Sequence, residues 1–113
     1  MLCPRMPMPL GAQIAHHVFF WLKNPESIAD RDALIEGVRA LTAIPAVRAL
    51  HVGVPAAVEP RPVVDSSYSV SELLFFDTIE DQNIYQSHPL HQAFIARCSP
   101  LWTRVVVYDI SGR

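Results

Sequence analysis

The chain has 113 residues, half of them hydrophobic, with 9 Lys and Arg against 11 Asp and Glu and a formal net charge of −2. One domain usually takes about 100–200 residues, so a single domain is expected, and the composition is too apolar and too weakly charged for a disordered chain. This balance offers no basic surface to a phosphate backbone, which argues against nucleic acid as a partner, and no run of about 18 apolar residues is present to span a membrane.

Residues 1–13, MLCPRMPMPLGAQ, carry three prolines and a glycine. They lack an uninterrupted apolar stretch of the kind a secretion signal needs and are expected to be a disordered tail outside the fold. Residues 14–22, IAHHVFFWL, are too short for a helix and rich in β-branched and aromatic side chains, which predicts a strand. Both parities are largely apolar, so both faces of this strand need cover. Asn24-Pro25-Glu26 reads as a helix start, and Ile28, Ile35, Val38 and Leu41 recur at helical spacing through residues 26–43 until Pro45 ends the helix.

Residues 47–54 are a second expected strand, followed by a proline-rich loop over 55–67 and a third strand over 68–76. Thr78-x-x-Asp81 resembles a capping box and opens a helix through Ile79, Ile84 and Tyr85. His88-Pro89 interrupts that helix, Pro89 being suited to the first position of a second piece that runs to about residue 98. Residues 102–110 form the fourth strand. The two cysteines, Cys3 and Cys98, make neither a disulfide framework nor a metal spacing, so free thiols and a reducing, cytoplasmic setting are expected.

The order β-α-β-β-α-β predicts an α+β, ferredoxin-like fold: a four-stranded antiparallel sheet with its helices on one face. The uncovered sheet face would be apolar, and soluble monomers seldom expose more than a few hundred Å² of contiguous apolar surface. Two such sheets packed face to face solve the problem, so a homodimer is expected, with an apolar space lined by the sheets.

The segments I-A-H-H-V-F-F-W-L-K, R-A-L-T-A-I-P-A-V, Y-Q-S-H-P-L-H-Q-A-F and V-V-V-Y-D-I, spanning residues 14–111, resemble the stress-responsive α/β-barrel (Dabb) family. Tyr85-x-x-His88-Pro89-x-His91 is the most specific piece. The resemblance implies a dimeric α+β barrel built from ferredoxin-like protomers. Most members of the family have no assigned reaction, but one branch is a plant polyketide cyclase that performs an intramolecular aldol reaction. Its working residues resemble Tyr85 and His91, with a strand-1 histidine that aligns with His16; an offset of one would select His17 instead.

Read without the family, Tyr85, His88 and His91 are spaced by three, which would bring them to one face of an unbroken helix. A phenol beside an imidazole is a plausible acid/base pair for chemistry at a carbon next to a carbonyl, the imidazole taking a proton and the phenol donating to the oxygen that gains charge. Tyr85, His91 and His16 are therefore the candidate catalytic residues, and His88, Glu72, Phe20 and Leu74 the candidate ligand contacts. The same residues also fit structural roles: His88 and His91 at a helix junction, Tyr85 with its hydroxyl on a backbone carbonyl, His16 as a satisfied core histidine.

Glu72 is the odd charge on a strand face shared with Val70, Leu74 and Phe76. It needs a partner or a proton if buried, and Arg104 or His16 could supply one. No metal-binding motif, Walker-type loop, GxGxxG or GxSxG occurs, so no metal or other cofactor is expected. A non-catalytic protein that binds a small apolar or aromatic molecule, or serves structurally, is the first expectation. A lyase or cyclase acting on a polyketide-like or aromatic carbonyl compound is the alternative, and a cofactor-free monooxygenase a further one.

Overall fold

The computed structural model describes residues 13–113, so Cys3 and all but the last residue of the expected tail lie outside the described residues. The elements are β1 (Ile14–Leu22), α1 (Ile28–Arg39), β2 (Ala49–Gly53), β3 (Val70–Phe76), α2 (Ile79–Ser87), α3 (Pro89–Cys98) and β4 (Trp102–Ser111). The strands lie side by side as β2-β3-β1-β4, every neighbouring pair antiparallel. This is the ferredoxin-like arrangement expected from the element order.

Strand parity decides which residues can meet. Along β1, Ile14, His16, Val18, Phe20 and Leu22 are buried beneath the helices, while Ala15, His17, Phe19 and Trp21 alternate onto the opposite face. The core joins that row to Val70, Leu74 and Phe76 of β3 and to Leu34, Val38, Leu41 and Ile44 from α1 and the turn after it. Tyr85 and Phe94 close it from α2 and α3. On the other face no helix covers Phe19, Trp21, Tyr108 or Ile110, and the last two are 59% and 53% exposed.

Local chemistry sets the helix ends. The Thr78 hydroxyl accepts the Asp81 N–H at 3.1 Å, and Pro89 is the first residue of α3. Three expectations are corrected in α1. Its N-cap is Ser27, whose hydroxyl accepts the Asp30 N–H at 3.1 Å, whereas the Asn24 carbonyl accepts from Ser27 in the preceding turn. Its regular part stops at Arg39, and residues 40–43 tighten into a 3₁₀ turn ahead of Pro45. Ile28, placed by periodicity on the buried stripe, is 63% exposed because it lies in the first turn, before the helix reaches the sheet.

Gly37 lies where α1 packs tightly against α3. A Cβ there would lie 2.6 Å from Cys98 Sγ and 3.3 Å from the Phe94 ring. Gly37→Ala gains helix propensity of about 1 kcal/mol, but overpacking a tight contact costs about 1–3 kcal/mol. We expect a net fall in thermal stability, recovered in part by adding Cys98→Ala. Additive losses in a double-mutant cycle would refute the clash.

Candidate functional site

Antiparallel register aligns residues on facing strands. Val18 faces Glu72 on β3 and Val107 on β4; one row along, His16 faces Leu74 and Asp109. All of these point toward the helices. At the edge strand β4, the helices leave Val105 and Val107 partly exposed (37% and 45%), and a gap opens between β4 and α2–α3. The gap is a cleft of about 180 Å³ whose walls include His16, Phe20, Glu72, Tyr85, His91 and Phe94, with Ile95, Trp102 and Val107 among the rest of the lining.

The cleft therefore lies on the helix side of the sheet, within one chain. The apolar space expected between sheets is not where these residues converge. Four of the expected polar residues do come together: His16, Glu72, Tyr85 and His91. Phe20 lines the cleft as well. Leu74 shares their sheet face but is sealed in the core and does not reach the cleft. His88 points away, for Pro89 turns the chain and the His88 ring caps α3, Nδ1 accepting the Leu90 N–H at 3.0 Å. It borders a separate surface depression with Pro45, Asp77 and Ile84. The choice between His16 and His17 is decided by parity: His17 lies on the open face, 2.9 Å from the Ser71 hydroxyl.

Tyr85 is the hub. Its ring centroid is 4.5 Å from that of His91, 5.8 Å from His16 and 5.2 Å from Phe76. Burial, and then the nearby Glu72 carboxyl, push its pKa above the ordinary 10.0, so the phenol stays protonated and keeps an O–H to donate. His91 Nδ1 lies 3.1 Å from the Gln86 carbonyl. A carbonyl only accepts, so Nδ1 carries the proton and Nε2 keeps its lone pair. Burial lowers the His91 pKa and nearby His16 adds to this, against the opposing pull of that carbonyl. His91 is thus a neutral imidazole with a free basic nitrogen.

His16 Nδ1 and Asp109 Oδ1 are 2.5 Å apart, and the Gln82 side-chain amide donates to the same oxygen at 3.1 Å. The carboxylate therefore orients the His16 ring, and its Nε2 looks toward Glu72 Oε2 at 3.9 Å. Glu72 is 1% exposed, and desolvation pushes its pKa up to about 8. Arg104, one of the two expected partners, sits 4.3 Å over the Trp21 ring on the opposite face. Asp109 and Gln82 were missed by sequence reasoning. Asp109 had a signal, a lone charge in V-V-V-Y-D-I; Gln82 had none. Among the described residues, no group of three or more His, Cys, Asp or Glu side chains is placed to hold a metal ion, and no helix is long and apolar enough to cross a membrane.

The fold recurs in solved structures. A hydroxynitrile lyase from Passiflora edulis is similar at 21% identity and a TM-score of 0.75, over 91% of this chain and 95% of that one. A ferredoxin-like Dabb protein from Mesorhizobium loti is similar at 22% identity and 0.73, over 90% and 98%. A dimeric ferredoxin-like protein of unknown function from Thermobifida fusca is similar at 20% identity and 0.71, over 90% and 92%. No curated protein sequence matches. Residues 14–111 match the family profile described as the stress responsive A/B barrel domain, nearly the whole described chain, and the protein belongs to that Dabb family.

Proposed function

We propose that the protein is a homodimer whose protomers each bind a small, one-ring carbonyl compound in the cleft and exchange a proton at the carbon beside the carbonyl, as in lyase or aldol-type chemistry. The observation that carries this reading is the His91–Tyr85 pair: an imidazole tied through Nδ1 so that Nε2 is free, against a phenol without a hydrogen-bond partner among the described residues. His91 Nε2 takes the proton from carbon. The C–H electron pair becomes the enolate double bond, and the charge moves to the carbonyl oxygen, where Tyr85 donates a hydrogen bond. His91 then returns the proton to carbon, or to the oxygen of a second carbonyl that the enolate attacks.

An apolar cavity of about 150 Å³ holds benzene, so a cleft of about 180 Å³ takes one ring. Of a polyketide-like chain, only the reacting end would be enclosed. The fold shared with a protein named as a lyase supports the reading. A non-catalytic binding role is the second reading, favoured by the use of His88 and His91 as hydrogen-bonding groups at the α2–α3 junction. Acetophenone in heavy water separates them. Deuterium entering its methyl group faster than in buffer supports proton abstraction; binding without exchange supports the second reading.

The dimer would pack the open sheet faces through Phe19, Trp21, Tyr108 and Ile110, a reading supported by structural relatives described as dimeric. Tyr108→Glu places a charge there without touching the cleft. Sedimentation velocity should show wild type as a dimer and the variant as a folded monomer; a dimeric variant would move the interface elsewhere. The buried free thiol of Cys98 is consistent with a reducing, cytoplasmic setting.

A further inference from the structure

The acid–base pair leaves Glu72 of the cleft unused. Glu72 projects from β3 between Val18 of β1 and Val52 of β2. It is almost fully buried, and its Oε1 has no hydrogen-bond partner among the described residues. Its Oε2 is 3.9 Å from His16 Nε2, beyond hydrogen-bond reach. The titratable groups that face it are His16 from β1, Tyr85 from α2 and His91 from α3, with Asp109 of β4 behind His16. No Lys or Arg lines the cleft.

A carboxylate in that position would be a buried charge with no Lys or Arg beside it and one oxygen without a hydrogen-bond partner, which burial strongly disfavours. The same holds for an anionic ligand. A protonated carboxyl, in contrast, has an O–H to donate, and burial holds the Glu72 pKa at about 8.

We propose that Glu72 is a neutral carboxylic acid that donates a hydrogen bond to the bound molecule, and that it sets the ligand class of the cleft: an uncharged one-ring compound with an acceptor oxygen, the corresponding carboxylate being excluded. This rests on the one-ring carbonyl reading above and deepens it. A carbonyl oxygen has two lone pairs, so Tyr85 and Glu72 can both donate to it while His91 remains the acceptor for the carbon-bound proton.

The test is an NMR shift titration of the full chain with acetophenone, which does not ionise, and with benzoate, across the range in which Glu72 ionises. Acetophenone affinity should hold up to about pH 8 and then weaken by about tenfold per pH unit. Near neutrality benzoate should bind at least about tenfold more weakly than acetophenone. Glu72→Gln keeps the shape and a donor, so it should bind acetophenone with no such decline.

A flat wild-type profile, or benzoate binding as tightly as acetophenone, would overturn the role of Glu72 and leave the one-ring reading standing. A decline that persists in Glu72→Gln assigns the titration to another group and also overturns it. No acetophenone binding at any pH overturns the one-ring reading and this proposal with it. If Glu72→Gln does not fold, the wild-type profile and the benzoate comparison decide.

Discussion

His91→Ala is expected to slow methyl-proton exchange of acetophenone by about 10²–10⁴-fold, the usual contribution of a positioned acid or base, while the chain stays folded. The variant loses one hydrogen bond, Nδ1–H to the Gln86 carbonyl, which is worth about 1 kcal/mol. Activity and stability therefore respond on very different scales. Tyr85→Phe should also slow exchange, since the developing enolate oxygen loses a donor, but the base remains. The pH profile gives a second readout. Burial lowers the His91 pKa, so the rate should stay level below the ordinary imidazole value of 6.5 and fall only at more acidic pH, as the lone pair is protonated. A purely architectural His91 would show the opposite pattern: a lower melting temperature in His91→Ala and unchanged exchange.

Glu72→Gln is expected to stabilise the protein increasingly as pH rises. The sign follows from proton linkage. Unfolded, the carboxyl titrates near its ordinary 4.5; folded, burial raises that to about 8. Between those values the folded chain holds a proton that the unfolded chain has released, so wild type loses stability with rising pH. Each unit of the interval is worth about 1.36 kcal/mol, so the whole loss is of order several kcal/mol. The loss is absent below the unfolded value and complete above the folded one. Gln does not titrate and avoids it. The amide has its own fixed burial cost, which cancels when the two proteins are compared across pH. Denaturant melts at acidic and at mildly alkaline pH measure the difference. A stability gap between Glu72→Gln and wild type that does not change with pH would show that Glu72 is not held neutral.

Local signals in the sequence were informative where the responsible interaction is itself local. Thr78 reaches three residues to Asp81, Pro89 begins α3, and alternation along β1 puts Val18 and Phe20 in the core. Glu72, read as an odd charge on an apolar face, lies at the cleft floor. Pairings across the sheet were not legible. His16 meets Asp109 only because β4 lies beside β1, bringing together residues 93 apart in sequence. The position of the cleft depends on how far the helices extend over an edge strand, which no periodicity encodes. His88 shows the limit of spacing arguments: it stands three residues from both Tyr85 and His91, yet the turn at Pro89 sends its ring to the Leu90 amide. Leu74 shares the right face but is sealed within the core.

The cleft lies on the helix side of the sheet, away from the exposed face of Phe19 and Tyr108, so the proposed chemistry and the proposed sheet-to-sheet association would occupy separate halves of the molecule. In such a dimer, sequence change on the Phe19–Tyr108 side would retune self-assembly while the His91–Tyr85 side stays as it is, and the reverse would also hold. In a sheet-to-sheet dimer the two clefts would face outward and be filled independently, neither waiting on the other. Such a layout lets one scaffold acquire new ligands without renegotiating how its copies hold together.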